Sequence, residues 1–217
     1  MWYDFERVIR LIGYNPNVRA IILSGSGPKA FTSGLDVAMA GANPTSPVNP
    51  NSGASDGARK AFLAHRHILD FQSAISQLEL CQKPVAVVMH GYCFGLAIDI
   101  ATACDVRFVT KDAKLCVKEV DIGLAADIGT LSRLPKVVGN FGWVKDVCLT
   151  ARIFGAEEAW KVGLATRICD GKDDAFKQAV EWAKLVASKS PVATRGTKHL
   201  LDRARDLTTD ERKFPES

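Results

Sequence analysis

Two carboxylates eight residues apart, Glu119 and Asp127, are the side chains of this sequence best suited to chemistry. They lie in the segment 118–130, Lys-Glu-Val-Asp-Ile-Gly-Leu-Ala-Ala-Asp-Ile-Gly-Thr. The residues leading to Glu119 alternate like a strand, and those after Asp127 begin a helical pattern. Acids at such a junction can point into one pocket from two directions, an arrangement suited to proton transfer.

Two glycine-containing loops each follow an apolar, strand-like run. Residues 29–36 (Lys-Ala-Phe-Thr-Ser-Gly-Leu-Asp) contain a glycine that lets successive backbone amides face the same way. Residues 90–99 (His-Gly-Tyr-Cys-Phe-Gly-Leu-Ala-Ile-Asp) lead into a predicted helix, whose first N–H groups favour negative charge. Two amides from two such loops could hold an oxyanion, although each loop alone is also typical of an ordinary turn.

Each acid also has a structural interpretation. Asp99 could be a solvated helix residue, Glu119 a charge at a strand end, and Asp127 the N-cap of the following helix. We expect Asp121 to bond backbone groups in the turn between the two acids. The histidines show neither metal-ligand spacing nor a paired nucleophile, so the sequence predicts no metal site and does not support a serine hydrolase.

The composition is that of an ordinary globular domain. The chain has 217 residues, 47% of them hydrophobic and 24% charged, with a net charge of +4. This small excess of positive charge does not indicate nucleic-acid binding, and it is compatible with binding of a phosphorylated ligand. The six cysteines form no Cys-x-x-Cys pair, which predicts buried thiols in a reducing compartment. No apolar run approaches the roughly 18 residues of a membrane span, so we expect a soluble protein.

Strands and helices alternate along the chain, which predicts α/β layering. The predicted strands cover residues 18–23, 84–89, 106–110, 114–119 and 165–169. The predicted helices cover residues 2–13, 61–80, 95–104, 129–138, 141–150, 156–162, 174–188 and 191–205. Residues 38–57 are rich in Pro, Asn, Ser and Gly, and we expect a mobile surface loop there.

The two loops, together with Glu119 and Asp127, resemble the enoyl-CoA hydratase/isomerase (crotonase) superfamily. Within it, residues 118–131 and the following Arg-Leu-Pro-Lys-Val-Val-Gly-Asn at 133–140 resemble the Δ3,5-Δ2,4-dienoyl-CoA isomerases. The resemblance implies a crotonase-like ββα superhelix, with a core domain at residues 1–190 and a partial C-terminal helical region at 191–217. Family chains extend further in both directions, so we expect a form shortened at both ends.

The resemblance also implies roles for individual residues. The oxyanion hole falls on the backbone amides of Leu35 and Leu96, and the three pocket acids fall on Asp99, Glu119 and Asp127. Leu96 stands where the family has a glycine, but its backbone N–H is still a donor. Four substrate-binding positions lie within the two loops: Phe31, Ser33, Gly34 and Gly95.

The implied activity is the isomerisation of 3,5-dienoyl-CoA to 2,4-dienoyl-CoA in the β-oxidation of unsaturated fatty acids. Coenzyme A is part of the substrate, and no separate cofactor or metal is expected. A proton leaves C2 and another is added at C6, too far apart for one carboxylate. By resemblance Glu119 serves C2 and Asp127 serves C6, while Asp99 raises the pKa of a neighbour.

Other activities stay open at this point. An enoyl-CoA hydratase or a Δ3,Δ2-enoyl-CoA isomerase is one alternative, and a non-catalytic protein that binds acyl-CoA, a partner subunit or RNA is another. By resemblance we expect a homotrimer or hexamer located in mitochondria or peroxisomes. We expect no targeting signal within these residues, and neither membrane nor nucleic-acid binding.

Overall fold

The computed structural model describes residues 2–36, 42 and 56–204. Its helices are α1 (Trp2–Tyr14), α2 (Gly57–Leu80), α3 (Leu96–Ala103), α4 (Thr130–Val137), α5 (Phe141–Thr150), α6 (Ala156–Lys161), α7 (Lys172–Ala187) and α8 (Pro191–Ala204). Its strands are β1 (Ile21–Ser24), β2 (Ala30–Thr32), β3 (Val85–Met89), β4 (Tyr92–Phe94), β5 (Val106–Thr110), β6 (Lys114–Cys116), β7 (Phe154–Gly155) and β8 (Arg167–Cys169). A 3-10 turn spans Glu119–Ile122.

The strands form two four-stranded sheets, ordered β1-β3-β5-β8 and β2-β4-β6-β7. All neighbours in the first sheet are parallel, and in the second only β7 runs antiparallel to its neighbour β6. Each of the pairs β1/β2, β3/β4 and β5/β6 contributes one strand to each sheet before the chain continues. The predicted ββα superhelix is therefore confirmed, and its stacking brings the segments after β2 and β4 side by side.

Strand β3 lies at the centre of the core, and all five of its residues are buried. Val85, Val87 and Met89 belong to the main apolar cluster together with residues of helices α2 and α3. Ala86 and Val88 face the other way, into a smaller cluster that includes residues of α7. Because successive side chains of a strand alternate between faces, a strand covered on both sides is apolar throughout.

Three short strands were missed by the sequence patterns, namely β2, β4 and β7. They have only two or three residues each, so their stability comes from pairing with neighbours rather than from local preference. The predicted strand 114–119 was too long, because β6 ends at Cys116. Glu119 therefore lies on the 3-10 turn and not at a strand end.

Helix α2 begins four residues earlier than predicted. The side chain of Asp56 caps it by accepting a hydrogen bond of 2.8 Å from the backbone N–H of Arg59, which satisfies one of the donors at the helix start. The end of the predicted loop 38–57 is thus helical from Gly57. Residues 38–41 and 43–55 of that loop lie outside the described residues.

Helix α8 is joined to the core by a partly buried ion pair. Lys198 Nζ donates to Asp105 Oδ1 at 2.7 Å, and Asp105 Oδ2 accepts the backbone N–H of Val85 at 2.7 Å. The domain boundary at residue 190 stays a prediction. As predicted, all six cysteines are buried and free of disulfides. Among the described helices, none combines the length and hydropathy needed to span a membrane.

Candidate active site

Gly34 and Gly95 bring the two predicted loops into contact. Both have backbone φ angles in the left-handed region, +98° and +55°. A Cβ atom added to Gly34 would lie 3.2 Å from the carbonyl oxygen of Phe94 and 3.9 Å from the Cα of Gly95. A side chain at this position would push the loops apart, so the close approach requires glycine.

The two amides predicted to form an oxyanion hole are adjacent in sequence to these glycines. Leu96 is the first residue of α3, where a backbone N–H has no acceptor within the helix. The N–H of Gly95 donates to the carbonyl of Cys116 at 2.9 Å, which fixes this loop to β6. On the other loop, Gly34 N–H donates to Thr32 Oγ1 at 3.2 Å, just before Leu35. Two amides beside one close contact can both donate to a single ligand oxygen.

Asp99 is the most deeply buried of the three acids, with 1% of its surface exposed. Its Oδ1 accepts the backbone N–H of Thr130 at 2.7 Å and the Thr130 hydroxyl at 2.8 Å. Burial raises the pKa of Asp99 to about 6, while the bonds from Thr130 and the positive charge of Arg133 oppose this rise. At neutral pH Asp99 is therefore predominantly a carboxylate.

Glu119 lies directly against Gly95 of the second loop. Its Oε1 is 3.1 Å from the position that a Cβ on Gly95 would take. Its Oε2 is buried and has no hydrogen-bond partner among the described residues. Burial, followed by repulsion from Asp99, raises the pKa of Glu119 to about 7. A carboxylate with this pKa and an unpartnered oxygen is suited to accept and release a proton near neutral pH.

Asp127 is exposed at the edge of the same site. Its backbone carbonyl accepts a hydrogen bond of 2.7 Å from the side-chain amide of Gln72 on α2, which anchors the loop. Its charge contributes, after that of Asp99, to the raised pKa of Glu119. The N-cap alternative for Asp127 is wrong, because Gly129 occupies the N-cap of α4. The three acids therefore interact electrostatically although they differ in exposure.

The remaining predicted residues surround the first loop. Phe31 is partly buried in β2 and donates its backbone N–H to the carbonyl of His90 at 2.9 Å. Ser33 is exposed just after β2. The buried ring of His90 places Nε2 2.8 Å from the carbonyl oxygen of Gly27. His90 thus holds this loop with both its main chain and its side chain.

Asp121 differs from its predicted role. Its carboxylate pairs with the side chain of Lys118 rather than with backbone groups of the turn. The 3-10 turn is instead closed by backbone bonds, including one of 3.0 Å from the N–H of Leu124 to the carbonyl of Glu119. A lysine three residues away in sequence is close enough to pair with Asp121 at the surface.

Three residues near the acids were not assigned a role by the sequence analysis: Thr130, Arg133 and Cys148. The thiol of Cys148, on helix α5, has a pKa raised to about 11 by burial and by the charges of Glu119 and Asp99. The one available signal was the spacing of Thr130 and Arg133, which places both on one face of α4 beside the acid segment. Among the described residues, no group of three or more His, Cys, Asp or Glu could hold a metal ion.

The sequence matches those of known proteins. Residues 1–215 match the family described as Enoyl-CoA hydratase/isomerase. The chain is 40% identical over 210 residues to the mitochondrial Delta(3,5)-Delta(2,4)-dienoyl-CoA isomerase of Rattus norvegicus. The aligned region covers 97% of this chain and 62% of the rat protein. The chain is 37% identical over 209 residues to the peroxisomal Delta(3,5)-Delta(2,4)-dienoyl-CoA isomerase of Arabidopsis thaliana, covering 96% of this chain and 73% of that protein.

Solved structures give the same result for the fold. DspI of Pseudomonas aeruginosa superposes with a TM-score of 0.82 at 27% identity, covering 97% of this chain and 73% of that one. A putative enoyl-CoA hydratase of Thermobifida fusca in complex with acetoacetyl-CoA superposes with a TM-score of 0.79 at 26% identity, covering 98% of this chain and 79% of that one. The chain spans about three fifths of the length of the rat relative. The match over residues 1–215 shows that the chain belongs to the enoyl-CoA hydratase/isomerase family.

Proposed function

We propose that this chain carries the active site of a dienoyl-CoA isomerase, which converts 3,5-dienoyl-CoA into 2,4-dienoyl-CoA. The observation that carries the proposal is the position of Glu119, whose carboxylate has a pKa of about 7 and lies against the contact between Gly34 and Gly95. The names of the rat and Arabidopsis relatives support this choice within the family.

The oxyanion hole is needed because a thioester is a weak carbon acid. Its α-proton is on the order of ten pK units less acidic than a carboxylic acid, so a bare glutamate faces a deficit of roughly 14 kcal/mol. Each backbone donor to the developing oxyanion supplies about 3 to 4 kcal/mol. In the proposed complex the amides of Leu35 and Leu96 donate to the thioester oxygen, and dienolate conjugation supplies much of the remainder.

The proposed roles of the two acids are supported by the place of each one relative to the loops. C2 is bonded to the thioester carbon, so the base for C2 must lie beside the oxyanion amides. Glu119 meets this condition because its Oε1 approaches Gly95, the residue before Leu96. Asp127 lies at the exposed edge and is proposed to deliver the proton at C6. Asp99 remains charged and raises the pKa of Glu119.

The substrate class and cellular setting are part of the same proposal. The ligand is an acyl-CoA thioester, the class to which the acetoacetyl-CoA of the Thermobifida structure belongs. The coenzyme A belongs to the substrate, and no separate cofactor is proposed. A homotrimer or hexamer in mitochondria or peroxisomes is proposed from the family and from the names of the relatives.

A hydratase is the principal alternative, since several structural neighbours carry that name. A hydratase of this family positions one water between two acids. Here the Oδ1 of Asp99 is already occupied by both donors of Thr130. Asp127 adds a further acid at the rim of the site, which favours proton transfer along the acyl chain over addition of water.

The test is to incubate the protein with a 3,5-dienoyl-CoA and follow the growth of 2,4-dienoyl absorbance. We expect turnover that Glu119→Gln abolishes, and hydration of a 2-enoyl-CoA that is slower than isomerisation. Faster hydration would favour the hydratase. Tight binding of the CoA ester without turnover, by protein with a native circular dichroism spectrum, would favour a non-catalytic acyl-CoA-binding protein.

A further inference from the structure

Arg133 joins the acid site to helix α2. Its side chain is only 11% exposed, and its Nε donates to Glu79 Oε2 at 2.8 Å. Its Nη2 donates to Ser76 Oγ at 2.8 Å, and that hydroxyl in turn donates to the carbonyl of Gln72 at 2.6 Å. Two of the three guanidinium nitrogens are therefore fixed by one face of α2, which determines where the third nitrogen lies.

The third guanidinium nitrogen, Nη1, lies beside Gly129, in the turn that precedes helix α4. A Cβ atom added to Gly129 would be 1.9 Å from Arg133 Nη1 and 3.8 Å from Asp99 Oδ1. The guanidinium thus fills the space of an absent side chain between helix α4 and the carboxylate. Gly129 also has a φ of +157°, so the turn and the arginine together require glycine at this position.

The surroundings of Asp99 and Glu119 differ in a way that suits two roles. Asp99 has two donors from Thr130 and the nearby cation of Arg133. Glu119 has a buried oxygen without a partner among the described residues. Backbone N–H groups of Lys118 and Glu119 also lower the pKa of Glu119, but only Asp99 has a side-chain hydroxyl donor and a nearby cation.

The other titratable groups around Asp99 do not supply this stabilisation. Glu119 and Asp127 belong to the acid segment and cannot supply a positive charge. Cys148 approaches from helix α5, and its raised pKa keeps it a neutral thiol. Glu79 faces Arg133 from α2 and partly neutralises it. Among the described groups close to Asp99, Arg133 is the cation that lowers its pKa.

We propose that Arg133 is a positioning residue that keeps Asp99 negatively charged and thereby makes Glu119 a stronger base. The anchor on Glu79 and Ser76 holds the guanidinium still, so the charge acts on Asp99 without a direct contact to substrate. The part of this proposal that concerns proton transfer rests on the proposed function. The part that concerns the ionisation of Asp99 does not.

The test compares Arg133→Gln, which removes the charge, with Arg133→Lys, which keeps it. The titration of Asp99 is followed by carbon-13 NMR of the aspartate carboxyl groups, with the resonance assigned by its loss in Asp99→Asn. A parallel titration in the Glu119→Gln background separates Asp99 from its coupled neighbour. We expect the Asp99 midpoint to rise by about one pH unit or more in Arg133→Gln, and to stay within about half a unit in Arg133→Lys.

An unchanged Asp99 midpoint in folded Arg133→Gln would overturn the proposal. If Arg133→Gln does not fold, the Arg133→Lys variant alone decides the question. This variant keeps the positive charge, so an Asp99 midpoint raised by a full pH unit would contradict the proposed role of that charge. In the isomerisation assay we expect kcat to fall about 10-fold at pH 7 in Arg133→Gln, with KM changed less than about threefold. Wild-type protein without turnover would defeat the proposed function, while the NMR titration would still decide the role of Arg133.

Discussion

Thr130 donates both its backbone N–H and its hydroxyl to the same oxygen of Asp99, at 2.7 Å and 2.8 Å. This pair of bonds joins the start of helix α4 to the first turns of α3. Bonds to a charged acceptor are the stronger kind in proteins, so they favour the ionised form of a carboxylate that burial alone would neutralise. The hydroxyl can be removed by substitution, whereas the backbone donor stays.

Thr130→Val should therefore raise the pKa of Asp99. A hydrogen bond to a charged group contributes about 1.5 to 3 kcal/mol, which corresponds to about one to two pH units. Because half or more of Asp99 is then protonated at pH 7, Glu119 becomes a weaker base, and we expect kcat/KM to fall about 10-fold. The measurement is the pH dependence of kcat/KM. Thr130→Ser keeps the hydroxyl and serves as the control, and a similar loss in both variants would contradict the assignment.

Gly95→Ala should disrupt the contact between the two loops and Glu119. The new Cβ would lie 3.1 Å from Glu119 Oε1, at a residue whose φ of +55° disfavours any L side chain. We expect activity to fall by more than about 10-fold while the circular dichroism spectrum is retained. Gly139→Ala is the matched control, since a Cβ there meets nothing within 4 Å. Equal activity in the two variants would rule out the proposed geometry.

Glu119→Gln should stabilise the fold at high pH while it removes activity. The folded pKa of about 7 lies above the ordinary value of 4.5, so the folded state holds the proton more tightly than the unfolded state. The stability contributed by this group is therefore lost as pH rises from about 4.5 to about 7. After allowance for solvent screening, we expect a gain of about 1 to 2 kcal/mol at pH 8 in the variant.

Chemical denaturation at pH 4 and pH 8 measures this difference. The gain from Glu119→Gln should nearly disappear at pH 4, where the carboxyl group is mostly protonated in both folded and unfolded wild-type protein. Glu181→Gln removes an exposed acid of helix α7 and should give no comparable gain at pH 8. A pH-independent effect of Glu119→Gln would mean that packing, rather than ionisation, determines its stability.

Asp127→Asn should separate the two proton transfers. If Glu119 is the base for C2 and Asp127 the acid for C6, the variant still exchanges the C2 hydrogens of a 3,5-dienoyl-CoA with solvent deuterium. It should form 2,4-dienoyl product at least about 100-fold more slowly, the lower range of the effect of losing a general acid. Mass spectrometry of recovered substrate measures the exchange. Loss of both processes, with unchanged binding of substrate, would reverse the assignment of the two acids.

Much of the fold was predictable from the sequence because its longer apolar patterns correspond to helices and strands of the structure. The fully apolar run in strand β3 and the periodic pattern of helix α5 fall within about one residue of their predicted bounds. The short strands β2 and β4 were not predictable, since three residues carry too little local preference and form a strand only when a parallel neighbour pairs with them. That pairing is a property of the folded chain.

The sequence by itself determined which groups are available to the site: the glycines at 34 and 95 and the acids at 99, 119 and 127. Their types and order already indicated proton transfer beside an oxyanion hole. Only the tertiary structure decided that Asp99 is supported by Thr130 and Arg133 while Glu119 keeps an unpartnered oxygen. The reason is physical, because the pKa of a carboxyl group depends on its burial and on charges that come from distant parts of the chain.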